Sequence, residues 1–444
     1  MSQTLFVNAR IVNEGELRKG DLLVEDGRIV EIGENLSAPQ ATVIDCAGKI
    51  LMPGVIDDQV HFREPGLTHK AELATESLAA AAGGTTSFMD MPNVKPASLT
   101  QELLEERYVL ASNKSAVNYS FYMGASNDNL EEVLKTDPKT ICGIKAFMGS
   151  STGNMLVDDR SVLDQLFEKA PCLIATHCED ETTVRASNAA VKAAKGDSAT
   201  AWDHPDARPR EGCVKSSELA KELALKHNTR LHILHITTAE EARNFTKGPV
   251  KGKRITSEAC VHHLTYERED YKRLGNKIKC NPAIKEASDR DAVFAALLND
   301  QIDVIATDHA PHTVEEKSKH YWEAPGGVPL VQHSLLLMHE HVKAGRITWE
   351  RLVEKMCHAV TDCFEIKDRG YLRPGYWADI VLFDEETPYV VDQHPLYSKC
   401  GWSPFEGHTF PGSVAATYVN GVQVYDGKEA KLVKGAGARL AFDR

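Results

Sequence analysis

The chain has 444 residues, of which 42% are hydrophobic and 26% are charged, and its formal net charge is −13. This length suits an α/β barrel with a smaller companion domain, and the composition is that of a folded globular protein. The acidic balance argues against a nucleic-acid partner, and there is neither a signal peptide nor an apolar run long enough to cross a bilayer, so we expect a cytoplasmic protein without a membrane partner.

Short strand-like segments open the chain and return near its end. The opening segments are residues 4–12, 21–24, 28–32 and 41–45, separated by turns. The closing segments are residues 378–383, 413–419 and 423–424. We therefore predict that residues 1–51 and 371–444 pair into one β-sandwich that a larger domain interrupts.

The intervening residues 52–370 alternate short apolar runs with helical patterns, as parallel βαβ units do. Eight runs are predicted as strands, at residues 58–62, 85–91, 118–123, 141–147, 172–177, 231–236, 255–259 and 303–308. Predicted crossover helices include residues 70–82 and 214–227. The pattern indicates an α/β fold, a closed TIM-like (β/α)₈ barrel that forms the catalytic domain.

Polar residues stand at the ends of the predicted strands, where barrel enzymes hold their active sites. They are His61, Arg63, Asn93, His177, His235 and Asp308, with Lys145 inside the fourth strand. A lone histidine at a strand end is more often structural than a ligand, but three imidazoles, a lysine and a carboxylate together suit Zn²⁺ and would also admit Mn²⁺ or Co²⁺. We predict a zinc site here. His262 and His263, after the seventh strand, are expected to pack or to form hydrogen bonds and lie outside the predicted site.

Lys145 lies in the apolar run of residues 141–148. An unpaired ammonium is expensive to bury, and burial lowers the pKa of a lysine. The free amine can capture CO₂ as a carbamate, whose two oxygens coordinate one metal ion or bridge two. The competing interpretation is a buried ion pair with a carboxylate such as Asp308, and the imidazoles at neighbouring strand ends favour the carbamate.

Several stretches resemble dihydroorotases, cyclic amidohydrolases of the amidohydrolase superfamily. They are PGVIDDQVHFREPG at residues 53–66, MPNVKP at 91–96, NPAIK at 281–285, ATDHAPH at 306–312, APGG at 324–327, SPFEG at 403–407 and VNG at 419–421. The APGG stretch departs from the family's more usual Ala-Pro-Phe-Gly form. The resemblance covers nearly the whole chain.

The resemblance implies a role for each motif. The implied metal ligands are His61, Lys145, His177, His235 and Asp308, with Asp308 also the general base. The implied substrate contacts are Arg63, Asn93, Asn281, His312, Gly326 and Gly327. The implied reaction is the reversible cyclisation of N-carbamoyl-L-aspartate to L-dihydroorotate in pyrimidine biosynthesis, with one or two zinc ions and a carboxylated Lys145. A homodimer and association with aspartate transcarbamoylase are the implied assemblies.

One residue departs from the family's metal-binding pattern. Where the family has the first histidine of His-x-His, this chain has Gln59, and an amide oxygen is a weaker zinc donor than imidazole. The first metal position is therefore expected to be weak, vacant or differently coordinated, while Lys145, His177 and His235 stay complete. Two alternatives stay open, namely an allantoinase or hydantoinase, and a catalytically weakened homologue that serves as an assembly partner.

Overall fold

The computed structural model describes residues 3–149 and 155–444. The first part of the chain builds strands of a terminal β domain. These strands are β1 (Gln3–Asn13), β2 (Glu16–Glu25), β3 (Arg28–Gly33), β4 (Thr42–Asp45) and β5 (Ile50–Pro53). Strand β1 pairs with β4 through its residues 4–7 and with β5 through its residues 10–11, so the sheet branches along β1.

Parallel strands then form the barrel. They are β6 (Val55–Val60), β7 (Thr85–Asp90), β8 (Asn118–Phe121), β9 (Met123–Gly124), β10 (Ile144–Phe147), β11 (Ile174–His177), β12 (Leu231–Ile233), β13 (Ile255–Cys260) and β14 (Val304–Ala306). Strands β8 and β9 together form the third barrel strand, so all eight predicted strands are present. The ring closes where β6 meets the residues after β14, because the His61 amide donates to the His309 carbonyl at 2.7 Å.

The end of the chain returns to the terminal β domain. Its strands are β15 (Ile380–Asp384), β16 (Tyr389–Val390), β17 (Thr409–Phe410), β18 (Ser413–Val419) and β19 (Val422–Tyr425). The hydrogen-bonded order is β19-β18-β15-β5-β1-β2-β3, with β4 on β1, so strands from both ends share one sheet of eight. The predicted β domain from both termini is confirmed. Strand β5 was not predicted, because its four residues come directly before the first barrel strand.

Helices connect the barrel strands and cover the ring. They are α1 (Leu73–Ala82), α2 (Gln101–Lys114), α3 (Leu130–Leu134), α4 (Arg160–Lys169), α5 (Glu181–Lys195), α6 (His204–Ala207), α7 (Arg210–His227), α8 (Ala239–Arg243), α9 (Val261–Thr265), α10 (Tyr271–Leu274), α11 (Ala287–Leu298), α12 (Val314–Lys317), α13 (Ser334–Lys343), α14 (Trp349–Val353) and α15 (Ala359–Phe364). The two predicted crossover helices correspond to α1 and α7. Within residues 3–149 and 155–444, no helix combines the length and the apolar character needed to span a membrane.

Burial explains why the barrel strands read as continuous apolar runs. Every residue of β6, β7, β8, β10 and β11 is buried, because helices cover the outer face of a parallel barrel and side chains fill its interior. The terminal sheet has a separate core that includes Phe6, Ile11, Leu22, Ile380 and Tyr418. The polar ends of the barrel strands are thus held on a rigid, well-packed frame.

Candidate active site

A cavity of about 690 Å³ opens at the carboxyl ends of the barrel strands. Its lining includes all of the predicted site residues, namely Gln59, His61, Arg63, Asn93, Lys145, His177, His235, Asn281, Asp308, His312, Gly326 and Gly327. They come from stretches of chain that are far apart in sequence, and parallel strands bring their carboxyl ends to one face. The structure therefore places the predicted residues together in one cavity.

Three of these residues have a left-handed backbone that side-chain-bearing residues rarely adopt. The φ angle is 69° at Arg63, 38° at His235 and 49° at Asp308. Such conformations cost of order 1–3 kcal/mol each and cluster at functional sites, where the surrounding structure holds them. Each one lies just beyond a barrel strand, where the chain turns at the cavity.

His177 and His235 face each other across one side of the cavity. Their Nδ1 and Nε2 atoms lie 2.9 Å apart, and the other His177 nitrogen, Nε2, contacts Glu179 Oε2 at 2.9 Å. Because a carboxylate only accepts hydrogen bonds, His177 carries its proton on Nε2, and burial lowers its pKa, so Nδ1 keeps a free lone pair. This is the arrangement of a metal-ligating histidine backed by a carboxylate.

An arginine fixes Glu179 behind His177. Arg208 donates from Nε to Oε1 at 2.9 Å and from Nη2 to Oε2 at 2.5 Å, and Glu179 is fully buried. Burial alone would raise the pKa of Glu179, but Arg208 and His177 outweigh it and hold that pKa below its usual range. Sequence reasoning missed both residues. Glu179 was detectable, because positions two apart follow each other on one side of an extended chain.

Lys145 lies beside this pair of histidines with 1% of its surface exposed. Its ammonium nitrogen is 4.5 Å from the centre of the Phe147 ring. Burial lowers the pKa of Lys145 to about 7, against the opposing charges of Glu258 and Asp308. Near neutral pH a substantial fraction of this lysine is therefore a free amine, which is the form that reacts with CO₂.

Asp308 lies on the opposite side of the cavity against two side-chain nitrogens. Gln59 Nε2 and His61 Nε2 each lie 3.1 Å from Asp308 Oδ1, and His61 Nδ1 lies 2.8 Å from Asn93 Oδ1. With the Asn93 oxygen against Nδ1, a neutral His61 ring presents its Nε2 lone pair to the carboxylate. A cation, either a second proton or a metal ion, satisfies that contact.

Gln59 does not offer this position a ligand atom. Its amide nitrogen faces Asp308, because a carboxylate cannot accept from an amide oxygen, and its Oε1 lies 3.7 Å from the Cys260 thiol. An amide nitrogen is not a metal ligand. At the predicted first metal position, His61 and Asp308 therefore lie beside an amide nitrogen instead of a second histidine. The predicted second position keeps Lys145, His177 and His235.

The far side of the cavity is cationic. Arg63 Nη2 lies 3.1 Å from His312 Nε2, and Arg63 Nε donates to the Pro311 carbonyl at 3.2 Å. Lys70 Nζ lies 3.1 Å from His312 Nδ1. Burial and these two cations hold the pKa of His312 far below its usual value, so the ring is neutral. Glu316 already pairs with Lys70 at 3.1 Å, so Arg63 is the cation of this corner that suits an anionic group such as a carboxylate.

The glycines of the cavity rim are required by space. A Cβ on Gly327 would lie 2.4 Å from the Ala310 carbonyl oxygen and 2.8 Å from the His312 ring, and its φ is 143°. A Cβ on Gly326 would lie 3.0 Å from the Asn281 amide nitrogen. Both glycines therefore bring the rim backbone against the predicted substrate contacts.

Two buried lysines, which the sequence analysis did not identify, hold the rim loop in place through hydrogen bonds. Lys317 donates to the carbonyls of Lys279, Pro325 and Gly327 at 3.1, 3.0 and 2.9 Å. Lys279 donates to the carbonyls of Tyr321 and Ala324, each at 2.6 Å. The rim loop is thus held by charge-assisted hydrogen bonds from below.

His262 and His263 lie side by side directly after β13. Their ring centres are 4.0 Å apart, and His263 Nε2 lies 3.1 Å from the Pro282 carbonyl. Burial lowers the pKa of His262 to about 4, while Asp308 and the Thr307 backbone act in the opposite direction. Neither residue lines the cavity as described.

Comparison with known proteins gives consistent matches along the chain. The sequence model of the amidohydrolase family matches residues 50–424. The dihydroorotase of Halobacterium salinarum is 32% identical over 432 residues, which cover 94% of this chain and 99% of the relative. The dihydroorotase of Bacillus cytotoxicus is 33% identical over 436 residues, which cover 97% and 99%.

Solved structures match the fold over its whole length. The L-hydantoinase (dihydropyrimidinase) of Arthrobacter aurescens superposes with a TM-score of 0.93 at 28% identity, covering 99% of this chain and all of that one. The dihydropyrimidinase of Brevibacillus agri superposes with a TM-score of 0.88 at 25% identity, covering all of both chains.

Proposed function

This chain belongs to the amidohydrolase family, and we propose that it is a dihydroorotase, a hydrolase of cyclic amides that reversibly converts N-carbamoyl-L-aspartate to L-dihydroorotate. The observation that carries this proposal is full-length similarity to dihydroorotases, joined to a cavity with a cationic corner. Both compounds bear a carboxylate, which Arg63 can bind through paired N–H donors. The neutral His312 and the amides of Asn93 and Asn281 line the same cavity.

The family is metal-dependent, and zinc is the ion that best suits the donors of this site. We propose that a carboxylated Lys145, His177 and His235 hold it, because the two imidazoles present facing nitrogens and Glu179 sets the tautomer of one of them. A bound zinc ion supplies Lewis acidity, which polarises an amide carbonyl and brings the pKa of water towards about 7.

Asp308 is the proton carrier in this proposal. In ring opening, the oxygen of water bonds to the amide carbon, the carbon–nitrogen bond breaks, and Asp308 transfers a proton from that water to the leaving nitrogen. Cyclisation is the reverse. The Gln59 amide N–H, which donates to Asp308 Oδ1 at 3.1 Å, orients the carboxylate for both directions.

Substrate assays test the proposed function directly. We expect the purified protein to turn over L-dihydroorotate and N-carbamoyl-L-aspartate, and to leave allantoin and hydantoins unchanged. Arg63→Met should lower kcat/KM for dihydroorotate roughly 10- to 100-fold, because a charge-assisted hydrogen bond is worth about 1.5–3 kcal/mol. The exposed Arg243→Met serves as the matched control. Turnover of a hydantoin in preference to dihydroorotate would overturn the assignment.

A hydantoinase is the second candidate, and the TM-score of 0.93 to the Arthrobacter aurescens enzyme is the observation that favours it. Arg63 weighs against it. Lys70 pairs with Glu316 at 3.1 Å, but the described residues give the Arg63 side chain only the Pro311 carbonyl and His312 as hydrogen-bond partners, so a ring without a carboxylate brings its guanidinium no anion. The same substrate panel separates the two functions.

Metal content tests the weakened first position. We expect Gln59→His to bind one more equivalent of zinc than the wild type, because an imidazole restores the ligand that Gln59 lacks. Metal analysis of both proteins, side by side with activity, measures this difference. Equal metal content in the two proteins would show that Gln59 does not limit the position.

Assembly stays a prediction. A homodimer, or a complex with aspartate transcarbamoylase, would be detected by light scattering of the protein alone and of the mixture. A catalytically weakened assembly partner, the third interpretation, would show a complex together with turnover of dihydroorotate that Gln59→His raises.

A further inference from the structure

A cluster of three metal-binding side chains lies outside the cavity. Cys260 ends β13, and His262 and His263 lie in α9, which follows it directly. Their exposed fractions are 0%, 1% and 4%. One ligand atom from each, a thiol sulfur and two imidazole nitrogens, lies within 4.8 Å of the other two. We call these three residues the thiol–imidazole cluster.

Three of the four ring nitrogens in the thiol–imidazole cluster lack a hydrogen-bond partner among the described residues, and the fourth, His263 Nε2, lies 3.1 Å from the Pro282 carbonyl. Among residues 3–149 and 155–444, both ring nitrogens of His262 and Nδ1 of His263 lack a partner in strict hydrogen-bond geometry, although the Thr307 backbone lies near enough to His262 to oppose the lowering of its pKa. Buried polar atoms in folded proteins nearly always have one, since an unpaired buried group costs about 1–3 kcal/mol. Each neutral imidazole has one lone pair, so His263 Nδ1 and one nitrogen of His262, beside a thiol, point to a bound species that accepts two lone pairs.

A second buried group of similar composition shows the contrast. Asp58, His232 and Glu258 fill the barrel interior, and His232 Nδ1 lies 2.8 Å from Thr256 Oγ1 while its Nε2 lies 3.2 Å from Asp58 and 3.4 Å from Glu258. Both ring nitrogens of His232 thus have partners in the chain. Neither Asp58 oxygen has a partner in hydrogen-bond geometry among the described residues, so the contrast with the thiol–imidazole cluster lies in the His232 ring alone.

We propose that Cys260, His262 and His263 bind a thiophilic divalent metal ion, Zn²⁺ by the chemistry of the donors, at a site separate from the Lys145 position. One sulfur and two nitrogens leave the fourth position of a tetrahedral zinc open. Zinc bonds of about 2.3 Å to sulfur and about 2.0–2.1 Å to nitrogen separate neighbouring ligand atoms by roughly 3.5 Å, which fits inside the observed spread. On binding, the sulfur–hydrogen bond breaks, the proton leaves to solvent, the sulfur bonds to the metal, and no oxidation state changes.

Gln59 places this site next to the catalytic carboxylate. The Cys260 sulfur lies 3.7 Å from Gln59 Oε1, and Gln59 Nε2 donates to Asp308 at 3.1 Å. Metal binding removes the thiol hydrogen from the contact with Gln59. The Gln59 amide therefore contacts both the proposed metal site and Asp308, so metal binding at Cys260 can alter the hydrogen bond that Asp308 accepts.

Cobalt(II) titration of the metal-free protein tests the proposal without substrate. Cobalt replaces zinc in such sites, and a thiolate ligand gives a sulfur-to-cobalt charge-transfer band in the near ultraviolet. We expect this band in the wild type and its loss in both Cys260→Ser and His262→Ala, each of which should bind one equivalent less zinc. Cys142→Ser, a fully buried thiol elsewhere in the core, should keep both the band and the zinc. Thermal unfolding of each variant confirms that it is folded.

Further variants separate this site from the proposed catalytic metal. The His235→Ala variant should lose turnover of dihydroorotate and keep the cobalt band. If the wild type shows the band but does not turn over dihydroorotate, the proposed function fails and the proposed metal site stands. A wild-type protein without the band, or Cys260→Ser and His262→Ala variants that keep the wild-type zinc content, would overturn the proposed site.

Discussion

Replacing Lys145 by methionine in metal-free and CO₂-free protein isolates the cost of burying this lysine. Burial lowers its pKa from 10.5 to about 7. At about 1.36 kcal/mol per pH unit, that difference costs the folded protein about 5 kcal/mol below pH 7. Methionine fills a similar volume without a charge. The Lys145→Met variant should therefore have a free energy of unfolding that is several kcal/mol higher than the wild type at pH 6.

The pH dependence fixes the sign of this effect. Because the folded-state pKa of Lys145 is the lower one, the unfolded chain binds the extra proton between about pH 7 and pH 10.5, and the cost fades as the pH rises through that window. Urea unfolding of both proteins at several pH values should show a gap that shrinks towards pH 10.5. Lys251→Met, in an exposed turn, should show no such trend. A Lys145→Met gap of constant size would refute the electrostatic reasoning.

Three further substitutions test the cavity. Asp308→Asn should lower kcat in both directions by roughly 10²- to 10⁴-fold while zinc content at the Lys145 position stays unchanged, and near-normal turnover would exclude Asp308 as the proton carrier. Glu179→Gln should weaken zinc binding roughly 10- to 100-fold, because it removes the carboxylate behind His177. Competition with a chelator measures this affinity. An unchanged affinity would show that Glu179 serves only as the structural partner of Arg208. Lys317→Met should raise KM about tenfold and speed amide hydrogen exchange at Gly326 and Gly327. Exchange as slow as in the wild type would show that Lys317 does not hold the rim loop in place.

The barrel was predictable because its physical signals are local. Eight apolar runs of strand length, separated by helical patterns, are what a parallel sheet buried on both faces requires. Strand β5 was not predictable in this way, because four apolar residues carry no information about which sheet they join. Strands β16 and β17 have two residues each, too few for any periodicity.

The candidate site likewise has residues that the sequence could predict and residues that it could not. Its ligands stand at strand ends, and barrel topology alone brings strand ends together, so one sequence sufficed to group them. The supporting residues act across long separations. Arg208 reaches Glu179, and Lys317 reaches the carbonyls of the rim, through geometry that only the folded chain defines. Nothing in the sequence around either residue distinguishes it from a surface cation.

Gln59 makes the two halves of the cavity chemically different. A carboxylate accepts hydrogen bonds and donates none, so the amide nitrogen of Gln59 turns to Asp308 and its oxygen turns to the Cys260 thiol. In this arrangement the N–H of Gln59 positions Asp308, whereas a histidine at position 59 would offer a lone pair to a metal ion. A carboxylate that shares no metal ion keeps more of its basicity, which suits a group that must both take and return a proton. In the proposed function, Gln59 therefore leaves metal binding to Lys145, His177 and His235 and leaves Asp308 for proton transfer.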